Sequence, residues 1–268
     1  MSDSKRIVVK DELVTVAFAN STNSAIAKTG TLYGIGVGTG DPELLTLKGL
    51  RLLKQAPVVA FPAGIQGKSG MAEQIVAEWL QPQQVRLALN FPYVQDADVL
   101  NQAWRQAADL VWSYLQQGQD VAFVSEGDIS FFSTFTYLAQ ALQQQHPQAQ
   151  VQAVPGICSP LAAAAALGIP LTMQAQRLVV LPALYHVSEL ETALQWADVV
   201  VLMKVSSVYE QVWSILQQHQ LLSRSYVVER ATLPEQVVYE DLSDRPDLKL
   251  SYFSLLIVQV KEPNIVAS

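Results

Sequence analysis

Residues Leu32–Gly64 read LYGIGVGTGDPELLTLKGLRLLKQAPVVAFPAG. Leu32 to Val37 has the apolar run of a strand, and Glu43 to Lys54 sets Leu47, Leu50 and Leu53 along one side of a helix. Val58 to Phe61 is a second strand. Between the first strand and the helix, Gly34, Gly36, Gly38 and Gly40 occupy alternate positions. A backbone without side-chain walls can turn sharply and lie close to a ligand. Asp41 then reads as a helix N-cap, with Pro42 at the first helical position. The dinucleotide fingerprint does not fit. Counted from Gly34 its third glycine falls on Thr39, counted from Gly36 on Asp41. An acidic cap at the mouth also repels a pyrophosphate.

The same alternation continues outward. Helices are expected from about Ser69 to Leu80, Ala97 to Gln117, Phe131 to Gln145 and Pro160 to Leu167, with strands at Asp120 to Val124 and Val151 to Val154. Strands alternating with amphipathic helices define an α/β domain with a largely parallel sheet. After Gly168-Ile169-Pro170 the pattern restarts. Strands follow at Arg177 to Leu181, Val199 to Met203, Tyr226 to Glu229, Gln236 to Tyr239 and Phe253 to Val260, with helices at Ser188 to Trp196 and Ser207 to Gln218. Consecutive strands in this half point to a mixed sheet. The expected division is an N-terminal α/β domain, residues 30–169, and a C-terminal one, 170–268, with the boundary near 168–171.

Residues 1–29 are expected to form a flexible extension. Lys5 and Arg6 ahead of Leu13 to Ala19 faintly resemble a secretion signal, but Asp3, Asp11 and Glu12 interrupt the region that should be positive. The expectation is therefore a cytoplasmic protein. A net charge of −7 argues against a general nucleic-acid binder, which needs a basic surface to displace counterions. With one cysteine, neither an intramolecular disulfide nor a thiol-rich metal site can form. His146, His186 and His219 make no pair at ligand spacing. No metal and no membrane partner are expected, since no apolar run approaches the ~18 residues of a span.

Three more loops follow strands. Pro62 to Ser69 ends in Gly67-Lys68-Ser69, a Walker A pattern whose first glycine is replaced by Pro62. Proline removes a donor and fixes φ, so the phosphate cradle is lost and Ser69 reads as a helix cap. Ser125 to Ser130 places Glu126 and Asp128 beyond a strand end, where α/β sheets bind ligands. The acids there suit a cation or ribose hydroxyls. Pro155 to Pro160 carries Cys158, an inert or ligand-lining thiol because no basic partner stands near it in sequence. No loop brings a nucleophile–histidine pair, so the chemistry expected is positioning of reactants.

These loops, in this order, resemble the tetrapyrrole methylase family, and within it the precorrin-2 C(20)-methyltransferases. The similarity runs through Leu32–Gly64, Asp120–Leu138, Val154–Ser159, Val200–Val205, Val228–Gln236 and Tyr252–Val258. It implies two α/β domains with a cleft between them for S-adenosylmethionine, released as S-adenosylhomocysteine, in a homodimer. By resemblance Glu126, Gly127, Asp128, Ser133, Thr134, Cys158, Ser159, Met203 and Ala231 line the cofactor site. The glycine-rich loop, with Gly38, Gly40 and Asp41, faces the tetrapyrrole trough, and Asp41 is a candidate proton acceptor. A substrate rich in carboxylates needs arginines; Arg51, Arg86, Arg105 and Arg230 are the candidates. Thr39 and Ile129 stand where the family usually has proline. The competing readings are a methylase acting at another ring position, a diphthine synthase, and a non-catalytic tetrapyrrole-binding protein. A nucleotide hydrolase built on Gly67-Lys68-Ser69 ranks last.

Overall fold

A computed structural model describes residues 29–64, 69–92, 94, 96–183 and 187–261. The extension expected at 1–29 therefore lies outside the described residues except for Thr29, and so do Gly67 and Lys68 of the Walker-like loop.

The first half builds a five-stranded sheet from β1 (Thr31–Gly36), β2 (Val58–Pro62), β3 (Val85–Leu89), β4 (Val121–Ser125) and β5 (Gln150–Val154), in the order β3-β2-β4-β1-β5. Every pairing in it is parallel. β4 is buried at every position and β2 at all but Pro62, as expected of parallel strands covered on both faces. Helices α1 (Leu47–Gln55) and α2 (Met71–Val76) cover one face through Leu53, Ile75 and Val76. Helices α3 (Ala97–Leu115) and α4 (Phe135–Gln145) cover the other, against Leu32, Val58 and Phe123. α3 starts where the Asp96 carboxylate accepts from the Asp98 and Val99 N–H groups, and it turns Ala107, Ala108, Val111 and Leu115 inward at helical spacing.

The second half builds β6 (Leu178–Leu181), β7 (Val199–Met203), β8 (Ser225–Glu229), β9 (Val237–Tyr239) and β10 (Ser254–Gln259), in the order β6-β7-β10-β8-β9. β6 and β7 are parallel, and β10 runs antiparallel to both β7 and β8, so this sheet is mixed. Helices α6 (Ser188–Trp196) and α7 (Tyr209–Gln218) pack on one face through Leu190, Val212 and Leu216. The other face receives α5 (Ser159–Leu167), whose Ala163 is buried against Val199, Val201, Val228 and Ile257. α5 starts directly beyond β5 of the first sheet, so it ties the two sheets together before ending at Gly168, which takes the left-handed φ of 66°. Among the described residues no helix is long and apolar enough to cross a membrane.

Four local expectations need correction. The helix expected over Glu43 to Lys54 is divided: Asp41 caps a 3-10 turn, Pro42–Leu44, and Thr46 caps α1 by accepting from the Gly49 N–H. The helix expected from Phe131 starts only at Phe135, because Phe132 takes a φ of 52° and breaks the turn ahead of it. Ser69 does not cap α2; Gly70 holds that position without a side-chain bond. Strand β3 was not anticipated. It is a short edge strand with Val85, Arg86 and Ala88 exposed, so the one-sided apolar pattern that marks a strand is weak there.

Candidate active site

The strand order explains how loops distant in sequence meet. β4, β1 and β5 are neighbours, so the segments leaving their carboxyl ends converge on one edge of the sheet. Gly38 and Gly127 form a two-way backbone bridge, with N···O distances of 3.2 and 2.6 Å. Gly156 lies against Gly127 and the end of β1: a methyl group there would stand 2.4 Å from the Gly127 carbonyl oxygen and 2.6 Å from that of Gly36. Only glycine permits three main chains to approach so closely. Asp128 ties the arrangement together. One carboxylate oxygen accepts from Ser130 N–H at 2.8 Å and the other from Gly156 N–H at 2.8 Å. Beneath them the Ser133 hydroxyl donates to Ser125 Oγ and accepts from Phe135 N–H.

The facing wall comes from the second sheet. Because β10 is antiparallel to β7 and β8, its first residues lie beside the last residues of those strands. Lys204 N–H donates to the Ser254 carbonyl at 3.1 Å, and Arg230 N–H to that of Phe253 at 2.8 Å. Between the walls lies a cavity of about 380 Å³. Left-handed backbone conformations gather at its rim, with φ of 52° at Phe132, 54° at Lys204, 50° at Arg230 and 70° at Thr232. Such conformations are sparsely populated by non-glycine residues and concentrate at functional sites. Two edge-on aromatic pairs face the opening, Phe131–Phe132 from the first half and Tyr252–Phe253 from the second.

Glu126 also lines this cavity. Desolvation in the cleft pushes its carboxyl above the usual range although the residue keeps exposed surface, and the Lys204 ammonium opposes that shift only in part. A cation entering the cleft would favour its ionised form.

The nine residues expected around a cofactor, Glu126, Gly127, Asp128, Ser133, Thr134, Cys158, Ser159, Met203 and Ala231, all line this cavity. Arg230 lines it as well. Gly38 braces the floor, while Gly40 borders a second cavity of about 280 Å³ with Met71, Ile75 and Leu233. Asp41 appears in neither lining, and its carboxylate accepts from Glu43 N–H at 2.8 Å. Arg51 is exposed on α1 and bonds Gln55 at 3.1 Å. Arg86 on β3 and Arg105 on α3 are exposed and belong to neither cavity. Sequence reasoning missed Lys204, Tyr252, Phe253 and Ser254, all in the lining. A lysine just past β7 and an aromatic pair just before β10 were the available signals.

The family model for tetrapyrrole (corrin/porphyrin) methylases matches residues 31–245. The chain belongs to that family. It is 31% identical to the cobalt-precorrin-2 C(20)-methyltransferase of Salmonella typhimurium over 85% of this chain and 96% of that protein. It is 34% identical, over 85% of its own length, to the cobalamin biosynthesis protein CobIJ of Mycobacterium bovis; there it spans 46%, about half, of the relative. Among solved structures, uroporphyrin-III C-methyltransferase from Thermus thermophilus, complexed with S-adenosylhomocysteine, superposes with a TM-score of 0.60 at 23% identity, covering 85% of this chain and 97% of that one.

Proposed function

We propose that the chain is an S-adenosylmethionine-dependent methyltransferase that places a methyl group on carbon 20 of precorrin-2, or of its cobalt complex, in cobalamin biosynthesis. The observation that carries this reading is the convergence of the nine expected cofactor residues on one cavity walled by both sheets. The cleft suits such a donor: the bare backbone at Gly127 admits close approach, Met203, Val228 and Ala231 supply an apolar wall, and Glu126 offers a carboxylate to a cation. When bound, S-adenosylmethionine supplies a methyl group already activated on a sulfonium.

The protein's task is then to hold the acceptor carbon in line and keep water out. Positioning of that kind can lower a barrier by ~7–11 kcal/mol. The braced glycine floor fixes one reactant, and the facing aromatic pairs offer flat apolar surfaces to the other. We assign the substrate-carboxylate contact to Arg230, because it is the one candidate arginine that lines the cavity. Asp41, engaged with the Glu43 N–H, has no geometric support as the proton acceptor. We take residues 30–169 and 170–268 as the two domains, with α5 as the bridge, and the working form as a cytoplasmic homodimer. The relatives' names support the substrate, and the family resemblance alone suggests the assembly.

The test is methyl transfer from isotopically labelled S-adenosylmethionine to precorrin-2 and to cobalt-precorrin-2. One labelled methyl in the product, with loss of the proton resonance at carbon 20, is the expected result. A methyl elsewhere on the ring favours another tetrapyrrole methylase. Binding without transfer favours a carrier. Either outcome overturns the proposal.

A further inference from the structure

We infer that Thr232 is a positioning residue that clasps the two walls of the cleft and sets the alignment of donor and acceptor. The inference rests on the methyltransferase reading above and adds a residue to it. Thr232 Oγ1 lies 2.9 Å from Thr39 Oγ1 and accepts from the Asp41 N–H at 3.2 Å. One hydroxyl of the second half thus holds two positions of the glycine-rich loop, 193 and 191 residues away in sequence. The next residue deepens the contact. A methyl group on Gly40 would lie 2.5 Å from Leu233 Cγ, so no side chain fits between these loops.

Thr232 occupies this place against its own backbone preference. Its φ is 70°, a region that β-branched residues rarely hold. The turn is kept there by the Gln236 side chain, which accepts from Thr232 N–H at 2.7 Å, and by the Leu233 N–H bond to the Arg230 carbonyl at 2.9 Å. A strained conformation retained by dedicated partners indicates that its position matters. That position is informative. Arg230, Ala231 and Leu233 on one side and Thr39 on the other all line the cavity. The clasp therefore fixes the separation of the wall carrying Ala231 from the loop that carries Gly38 and Gly40.

Three variants test this, each measured for S-adenosylhomocysteine affinity by calorimetry, for kcat and KM in the methyl-transfer assay, and for melting temperature. Thr232→Val keeps the shape and removes both hydrogen bonds. Thr232→Gly removes them and also relieves the backbone. Thr232→Ser keeps the hydroxyl. Misalignment should lower kcat by about tenfold or more in the valine and glycine variants, with cofactor affinity changed by less than about threefold, while serine restores the wild-type kcat. A purely structural role predicts instead that activity follows melting temperature, so the relaxed glycine variant would keep its kcat. Wild-type kcat in Thr232→Gly or Thr232→Val, or equal losses in Thr232→Ser, overturns the inference while leaving the function intact. Failure of the wild-type protein to bind S-adenosylhomocysteine or to transfer methyl overturns both.

Discussion

Asp128→Ala is expected to lower S-adenosylhomocysteine affinity by about ten- to a hundredfold, because the carboxylate braces two loops of the cleft. Its two oxygens are committed to Ser130 and to Gly156 N–H. Removing them leaves the Gly156 N–H, partly buried, without its acceptor, at a cost of about 1–3 kcal/mol. The loop that carries Cys158 and Ser159 then loses its tie to the loop that carries Glu126 and Gly127. Asp128→Asn keeps one acceptor oxygen, so it should satisfy either Ser130 or Gly156 and fall between alanine and wild type. Acid should act in the same direction. Burial pushes this carboxyl up, but hydrogen bonds from the Ser130 hydroxyl and from the Gly156 and Ser130 N–H groups outweigh it and hold the group below its ordinary range. A depressed carboxylate stabilises at pH values above its unfolded pKa, and that contribution disappears as pH falls through the folded pKa. Calorimetry and thermal melts across the acidic range measure both effects; unchanged affinity in Asp128→Ala would contradict the bracing role.

Gly156→Ala should be still more damaging. Its methyl group would meet only main-chain atoms, at 2.4 Å from the Gly127 oxygen and 2.6 Å from the carbonyl of Gly36. No side chain can rotate away to make room, so the ends of β1, β4 and β5 must separate. Overpacking of this kind costs about 1–3 kcal/mol and sometimes more. Cofactor affinity should fall by at least about a hundredfold, since the displaced atoms form the floor of the cleft. Gly127→Asn is the control. Gly127 has a φ of 71°, which asparagine tolerates, and its nearest prospective neighbour, Cys158 Cα, is 4.0 Å away. Denaturant unfolding should show Gly156→Ala clearly destabilised and Gly127→Asn close to wild type; a Gly156→Ala protein as stable and as tight-binding as wild type would remove the close-packed floor from the mechanism.

Much of this architecture was legible in the sequence because its signals are local. Alternating apolar runs and amphipathic segments located nine of the ten strands found among the described residues, and Gly168 marked the end of α5. The juxtaposition of β4, β1 and β5 was not legible, since strand order depends on how crossovers pack and no short stretch records it. The site divides in the same way. Residues identified by a run of matching motifs, such as Glu126 and Met203, met in the cavity. Arg51, Arg86 and Arg105, chosen for charge alone, remained on the surface. Thr39 and Ile129, two departures from the family's usual proline, acquire places in the structure. Ile129 is buried in the core beside Phe123 and Phe135, and Thr39 meets Thr232. Neither contact is visible in sequence, because each depends on a partner brought near by the fold. Lys204 was missed for a related reason: its left-handed backbone, which turns it beside Tyr252, follows from the sharp exit of β7 rather than from its residue type.

A crystal structure with S-adenosylhomocysteine bound tests the central claim most directly. The ligand should lie between the sheets, touching Gly127 on one side and Met203 and Ala231 on the other. Density for it outside this cleft, or against only one of the two walls, would contradict the account.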